Sequence, residues 1–363
     1  MRDITAAACR IGTACLLAIA GGDERGHLAA GVAAAQAPSA DAPASRPGTA
    51  AMIIALPLTT EGNVLDRLAD GPRAYGVRQA TAGSLALPWR VTPSSAVIAS
   101  ERNFFGGDRR AWTALHTADA SNPGLLGGYG IVGGRQVAWT WDGRTAVRRT
   151  LPAGVEIAGV AGPSDGGSLA ADTYNTATFA QEILQWQANG SVSLLYRNVQ
   201  AKRGMRLFGM ASNGILGAIV RDGILLTVDL YDGQWHTLPF DYLNCRCEAL
   251  RVNASGQVLM TPLPDPGGNA QGYLVSRAGA TLLPRTDPRT RYTDLNDLGD
   301  VVGDAGGRPV VILDGVLHDL NAYANAGAAG WQLLTAVAIN RQRQVLGTGL
   351  WQGRPRWYVL SLR

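Results

Sequence analysis

Histidine and lysine are nearly missing from this chain. Of 363 residues, four are histidine, and Lys202 is the single lysine among 32 basic residues. No His-x-His or His-x-x-x-His pair occurs, and His116, His236 and His318 lie far apart. A conventional metallohydrolase centre and a Ser-His-Asp triad are therefore disfavoured, and no cofactor or metal is implied. The net charge of +4 is scattered as lone arginines and pairs such as Arg109-Arg110 and Arg148-Arg149. With no basic stripe and no recognised module, nucleic acid is not an expected partner. The arginine excess reads first as compositional bias.

Long apolar runs and helical periodicity are also lacking. No stretch sustains apolar spacing of three and four residues, whereas 46 glycines and 18 prolines punctuate the chain. That pattern excludes long helices and favours short strands joined by tight turns. The apolar stretch Ile11 to Ala20 is too short to span a bilayer, so no transmembrane segment is expected. Following Met1-Arg2 and Arg10 and ending in Ala18-Ile19-Ala20, it reads as an export signal over residues 1–20, with Leu28 to Ala37 as a second cleavage region. Residues 21–50, rich in alanine and proline, read as a disordered linker. The folded body is expected over 51–363.

Cysteine is scarce as well. Cys9 and Cys15 fall in the leader, which leaves Cys245 and Cys247 in the body, one residue apart. Such a pair is compatible with a local disulfide, an incidental reduced pair, or a soft-metal site. A zinc site would need a second ligand pair, which the sequence does not supply.

What the chain does contain is repetition. Val301-Val302-Gly303 and Val345-Leu346-Gly347 follow Asn296 and Asn340, and weaker copies run back through Val258-Leu259, Ile215-Leu216-Gly217, Leu169-Ala170, Leu125-Leu126-Gly127 and Leu85-Ala86. The intervals are 40 to 46 residues, a period typical of a four-stranded unit that must stack on neighbours to bury its apolar face. Asp142-Gly143, Asn189-Gly190, Asp232-Gly233 and Asp314-Gly315 mark two-residue hairpins. The predicted fold is an all-β propeller of seven blades, with six or eight as alternatives. Each unit starts on the Val-Leu-Gly strand, and a fourth strand such as Leu333 to Ile339 leads into the next. The segments Met52 to Leu58 and Val64 to Leu68 form a hairpin expected to complete the last blade beside Arg356 to Leu362, because closure removes exposed sheet edges.

Leu295-Asn296-Asp297-Leu298-Gly299-Asp300-Val301-Val302-Gly303 and Ala338-Ile339-Asn340-Arg341-Gln342-Arg343-Gln344-Val345-Leu346-Gly347 resemble the core motif of the HAF family of extracellular bacterial repeats. The resemblance covers roughly the last 150 residues. The name-giving His-Ala-Phe is replaced by Gln136-Val137-Ala138-Trp139, Pro309-Val310-Val311 and Arg356-Trp357-Tyr358. It implies export and a repeat β fold, and carries over no activity or catalytic residues.

Three motifs spell chemistry without its context. Gly162-Pro163-Ser164-Asp165-Gly166 matches a nucleophile elbow but sits in a repeat turn with no helix behind it. Gly128-Tyr129-Gly130-Ile131-Val132-Gly133 spells a dinucleotide fingerprint but reads as a flexible connection. Asp294 to Asp300 has the oxygen density of a calcium loop, yet Leu298 occupies a ligand position and no bidentate acid follows, so an Asx turn is expected at Asn296, as at Asn253 and Asn340. Trp89, Trp139, Trp186, Trp235 and Trp357 lie at strand positions and are expected to pack between blades.

If the Val-Leu-Gly strand is innermost, its glycine lets backbones crowd the channel and the adjoining turns ring one mouth. Asn122, Asp165, Asn213, Asn253, Asn296, Asp297, Asn340 and Arg341 then face a common funnel, with Tyr129, Tyr174 and Trp351 as aromatic contacts in the following connections. The reading is an exported, monomeric, non-enzymatic protein binding a polysaccharide or surface protein there. The alternatives are a carbohydrate hydrolase or lyase using Asp165 and Asp297, and a structural cell-surface protein.

Overall fold

In the computed structural model, the described residues are 52–57, 60, 63–78, 87–98, 112–199, 203–264 and 270–362. The expected leader, linker, Cys9, Cys15 and Leu85-Ala86 lie outside them. The strands form seven antiparallel sheets, each built from chain-consecutive strands except the last. These are blades 1 to 7, spanning 63–98, 112–149, 155–198, 203–237, 247–282, 291–319 and 331–361. First strands of neighbouring blades touch one another around the ring, so the first strand of each blade is innermost. The chain is a seven-bladed β-propeller. No helix among the described residues is long and apolar enough to cross a membrane.

Blade 6 shows how the sequence makes a unit. Its strands are Arg291–Leu295, Val301–Asp304, Pro309–Leu313 and Val316–Asp319. The β-branched residues Val301, Val302, Val310, Val311 and Ile312 suit a strand buried on both faces. Between the third and fourth strands, Asp314 and Gly315 take φ of 50° and 81°, the left-handed pair a type I′ hairpin requires. The core lies between blades. Val302, Val311 and Leu313 meet Val345, Tyr358 and Leu360 of blade 7, whose other face packs Leu346, Trp357 and Val359 against Leu65, Trp89 and Val91 of blade 1. Trp139, Trp186, Trp357 and Trp89 are buried as expected.

Side-chain amides add directional contacts between blades. Gln136 in the third strand of blade 2 bonds both the N–H and the carbonyl of Ile157 in the first strand of blade 3. Gln181 does the same to Met205 across blades 3 and 4. Each amide imitates a peptide group and satisfies a backbone edge that would otherwise face apolar packing.

The structure re-phases the repeat. Val301-Val302-Gly303 and Val345-Leu346-Gly347 belong to the second strand of their blades, and Leu333 and Ile339 belong to a split first strand, Trp331–Leu333 and Ala338–Ile339, in the same sheet. The glycine therefore does not crowd the channel. A bulge in the first strand, between Tyr292 and Asp294 in blade 6, turns a carbonyl onto the second strand. A Cβ on Gly76, Gly128, Gly303 or Gly347 would collide with the carbonyl oxygen of Val64, His116, Arg291 or Thr335. Gly76 also places the second strand of blade 1 at Arg73–Arg78. Gly128 to Val132 is part of the strand Leu126–Val132, not a flexible connection.

The ring closes, but with one strand from the N-terminus and not two. Met52–Ala55 pairs with Arg354–Ser361 as the outermost strand of blade 7, in the register Met52 to Ser361 and Ala55 to Tyr358. Asn63–Ala69 instead starts blade 1 as its innermost strand. Buried Leu56 and Leu65 belong to one core between blades 7 and 1.

One buried charge opposes this packing. Asp172, in the second strand of blade 3, is 3% exposed, and burial pushes its pKa up to about 6 against the pull of Arg206 and nearby backbone amides. Because the folded-state value exceeds the ordinary 3.8, this group favours folding most when protonated; stability falls as pH rises through about 6. Asp172→Asn is expected to flatten that dependence and to raise stability near neutral pH by up to about 3 kcal/mol. Thermal melts of both proteins between about pH 4 and pH 8 check this, and parallel pH profiles would refute it.

Candidate functional site

The turns between first and second strands gather at one mouth of the channel. In blades 5, 6 and 7 they begin at Asn253, Asn296 and Asn340 and are built alike. The Oδ1 of Asn296 accepts from the N–H of Leu298 at 3.0 Å and of Asp300 at 2.9 Å. Asn253 accepts from Ser255 and Gln257, and Asn340 from Gln342 and Gln344. These are the expected Asx turns. Each Nδ2 then donates twice: to the fifth residue's side chain, Gln257, Asp300 or Gln344, and to the first turn residue of the next blade. That second bond runs from Asn253 to Asn296 O at 3.1 Å, from Asn296 to Asn340 O at 3.0 Å, and from Asn340 to Ala69 O at 2.9 Å.

The three asparagines are thus a ladder that carries the ring across its closure. They are 1%, 4% and 2% exposed, and both polar atoms of each are engaged inside the protein. Of the residues expected in the funnel, Asn253, Asn296 and Asn340 do not face it, because a side chain bonded to its own turn and to the next blade points along the ring. In blades 2 and 3 serine takes over, with Ser121 Oγ and Ser164 Oγ accepting from Leu125 N and Ser168 N. Ser164, 3% exposed, is a turn-former in a strand-to-strand connection, which removes it as a nucleophile.

The second turn position faces the axis: Asp70, Asn122, Asp165, Ser212, Ala254, Asp297 and Arg341. The structure does bring Asn122, Asp165, Asp297 and Arg341 together. Asn122 of blade 2 donates across the ring to Asp297 Oδ2 of blade 6 at 3.1 Å and to Asp165 Oδ2 at 3.3 Å. Asp297 also accepts from Ser212 Oγ at 2.7 Å and from Ala254 N at 2.9 Å. Arg341 ties Asp70 to Asp165. Burial pushes the Asp165 carboxyl up, bonds from Asn122 and the Arg341 charge pull it down, and Asp297 adds a further push, for a net rise.

Beneath this lid, Arg67 pairs with Asp119 at 2.8 Å and Arg251 with Asp294 at 2.9 Å, lining a cavity of about 80 Å³. Asp294 also accepts from Ile339 N. Burial pushes its carboxyl up even beside Arg251. For Arg67, burial works against the charge, but Asp66, Asp119 and Asp294 outweigh it and hold the guanidinium above its usual range. The channel beneath the lid is therefore lined by two ion pairs, with Asp66 as a further partner of Arg67.

Beside the lid, between blades 3 and 4, opens a cleft of about 590 Å³ lined by Ser164, Asp165, Ser168, Gln185, Gln187, Ser212 and Asn213 with adjacent glycines. Asn213 forms a fixed wall, donating to Ala254 O and accepting from Ile215 N. Tyr129, Tyr174 and Trp351 are elsewhere. They sit within second strands or at their far ends, away from the turn-bearing mouth, with Tyr129 stacked on His116 and Trp351 on Trp331. They do not join the mouth because the segments expected to be connections are the strands themselves. Asp70, Ser212, Gln185 and Gln187 carried no sequence signal of a site. The alternation Gln185-Trp186-Gln187 was the one available hint, marking a strand with a polar and a buried face.

Among the described residues no cluster of three or more histidine, cysteine or acidic side chains could hold a metal. Cys245 and Cys247 are joined as a disulfide, with Cα atoms 5.2 Å apart.

No protein-family model matches this sequence, and neither does any curated protein sequence. Solved structures do match. A streptogramin B lyase superposes over 88% of this chain and 100% of its own, with a TM-score of 0.52 and 9% identity. The β-propeller domain of the trilobed protease from Pyrococcus furiosus, described as having an open velcro topology, covers 83% of this chain and 96% of its own at a TM-score of 0.48 and 10% identity. A mutant Aleuria aurantia lectin in complex with α-methyl-L-fucoside covers 74% and 94% at 0.38 and 11%. At these identities the likeness shows the propeller fold and nothing of its use.

Proposed function

We propose that this chain is an exported, non-enzymatic repeat protein of the HAF type that binds a polysaccharide at the turn-bearing mouth. The observation that carries the reading is the self-bonded lid. Asp165 and Asp297 are both held by Asn122, Arg341 and Ser212 bond the same Oδ2 atoms, and the backbone N–H groups of Asn122 and Ala254 hold the two Oδ1 atoms. Groups fixed in this way form a rigid polar surface, suited to hydrogen-bonding a ligand and poorly suited to moving protons. Export is supported by the leader-like residues 1–20 and by the Cys245–Cys247 disulfide, a bond that persists in oxidising compartments.

One observation favours a second reading, a glycan hydrolase or lyase: burial and the neighbouring Asp297 raise the Asp165 pKa, as a general acid requires. Isosteric variants separate the two. The parent protein, Asp165→Asn and Asp297→Asn, assayed on soluble polysaccharides for new reducing ends and unsaturated products, are all expected to show no turnover. A parent protein that cleaves a polysaccharide, with cleavage abolished in either variant, would establish the enzyme and sink the binding-only reading.

A further inference from the structure

We infer that the cleft between blades 3 and 4 is a saccharide subsite selective for a neutral, polyhydroxylated sugar; this rests on the polysaccharide-binding reading of the mouth and deepens it. The argument starts from the direction of a hydrogen-bond chain. Ser168 Oγ donates to Gln187 Oε1 at 2.8 Å, and Gln187 Nε2 donates to Gln185 Oε1 at 3.3 Å. The oxygen of Gln185 is thereby occupied, and its amide orientation is set by the network. Its Nε2 lines the cleft and donates to no partner among the described residues, although the side chain belongs to a residue only 9% exposed. That donor is reached by solvent only through the cleft, so a ligand hydroxyl seated there can take the place of water on it.

The turn of the same blade supplies an acceptor. Asp165, whose side chain is 29% exposed, presents its carboxylate to the same space. An amide donor and a carboxylate acceptor lining one cleft call for groups that both give and receive hydrogen bonds. Hydroxyls do this: a vicinal diol can direct its protons to Asp165 while a lone pair accepts from Gln185 Nε2. The carboxylate of a uronate, or a phosphate, adds acceptors and a negative charge towards Asp165, with Asp70 and Asp297 close by and Arg341 as the cation of the lid. The cleft volume falls in the range of small-ligand sites. Its lining residues include no aromatic side chain, so affinity for one sugar unit is set by hydrogen bonds and is expected to be about millimolar.

The test uses the full chain, titrated calorimetrically with neutral oligosaccharides of glucose, xylose and mannose and, in parallel, with oligogalacturonate. Gly166→Trp blocks the cleft at little structural cost: Gly166 is not in the left-handed region, and its Cβ would meet only Ser164 Oγ at 3.8 Å. Gln185→Leu removes the donor at similar volume, and Arg341→Ala perturbs the lid outside the cleft. The expected result is binding of a neutral oligosaccharide that weakens at least about tenfold in Gly166→Trp and in Gln185→Leu, with oligogalacturonate at least about tenfold weaker throughout. Should Gln185→Leu fail to fold, Gly166→Trp carries the test alone. Unchanged binding in Gly166→Trp together with loss in Arg341→Ala would overturn the cleft assignment and leave the mouth reading standing. Equal binding of oligogalacturonate would overturn the neutral-sugar selectivity. No binding by the unmodified chain would overturn both.

Discussion

Asn296→Ala is expected to destabilise the propeller by about 3–5 kcal/mol, from the summed loss of three buried hydrogen bonds and one part-buried. The two N–H groups of Leu298 and Asp300 lose their acceptor, and Asn340 O and Asp300 Oδ2 lose a donor. The loss is magnified because Asp300 is 1% exposed and keeps only Arg343 as its charged partner, at 2.9 Å and 3.0 Å. Removing a hydrogen bond from a buried carboxylate costs more than removing one at the surface. The melting temperature should fall on the order of 10 °C. Leu298→Ala on the same turn, at a side chain 59% exposed, should stay within about 0.5 kcal/mol of the parent. Urea denaturation with an unchanged slope checks the pair. An Asn296→Ala protein as stable as Leu298→Ala would show that the ladder is incidental.

Removal of residues 1–56 should have an effect of similar size and a different character. Without Met52–Ala55 the outer edge of Arg354–Ser361 is left unpaired, and loss of Leu56, 2% exposed, opens the core shared by Leu65, Trp357 and Val359. Burial of one leucine alone is worth about 2 kcal/mol, and an exposed strand edge templates pairing with other chains. The truncated chain is expected to melt lower by on the order of 10 °C and to associate in a concentration-dependent way by sedimentation. A peptide of residues 51–57 added in trans should reverse both changes. Truncated protein that stays monomeric with an unaltered melt would show that the ring does not depend on this strand.

The sequence by itself determined the architecture. Val301-Val302-Gly303 and Val345-Leu346-Gly347, spaced like their weaker copies, specify strands that cannot bury both faces alone, and Asp314-Gly315 fixes a two-residue hairpin, whereas Asp142-Gly143, Asn189-Gly190 and Asp232-Gly233, expected to do the same, lie in longer loops. Those are local requirements of backbone geometry and burial, so they are written in neighbouring residues. Turn chemistry at Asn253, Asn296 and Asn340 was legible for the same reason, since Asx turns close within five residues.

Tertiary structure decided the rest. Which strand is innermost is set by the contacts between first strands of neighbouring blades, which leave no periodic mark in the sequence. Whether Met52–Ala55 and Asn63–Ala69 share a blade depends on pairing across some 300 residues. The candidate site divides along the same line. Asn122, Asp165, Asp297 and Arg341 could be grouped from the repeat, because equivalent positions in a closed ring converge on its axis. That Asn253, Asn296 and Asn340 turn along the ring to the next blade, and that Ser212 and Asn213 of blade 4 close a cleft on Gln185 and Asp165 of blade 3, are relations between blades. Their partners lie about one repeat away or more in the chain, so only the assembled ring brings them within hydrogen-bonding distance.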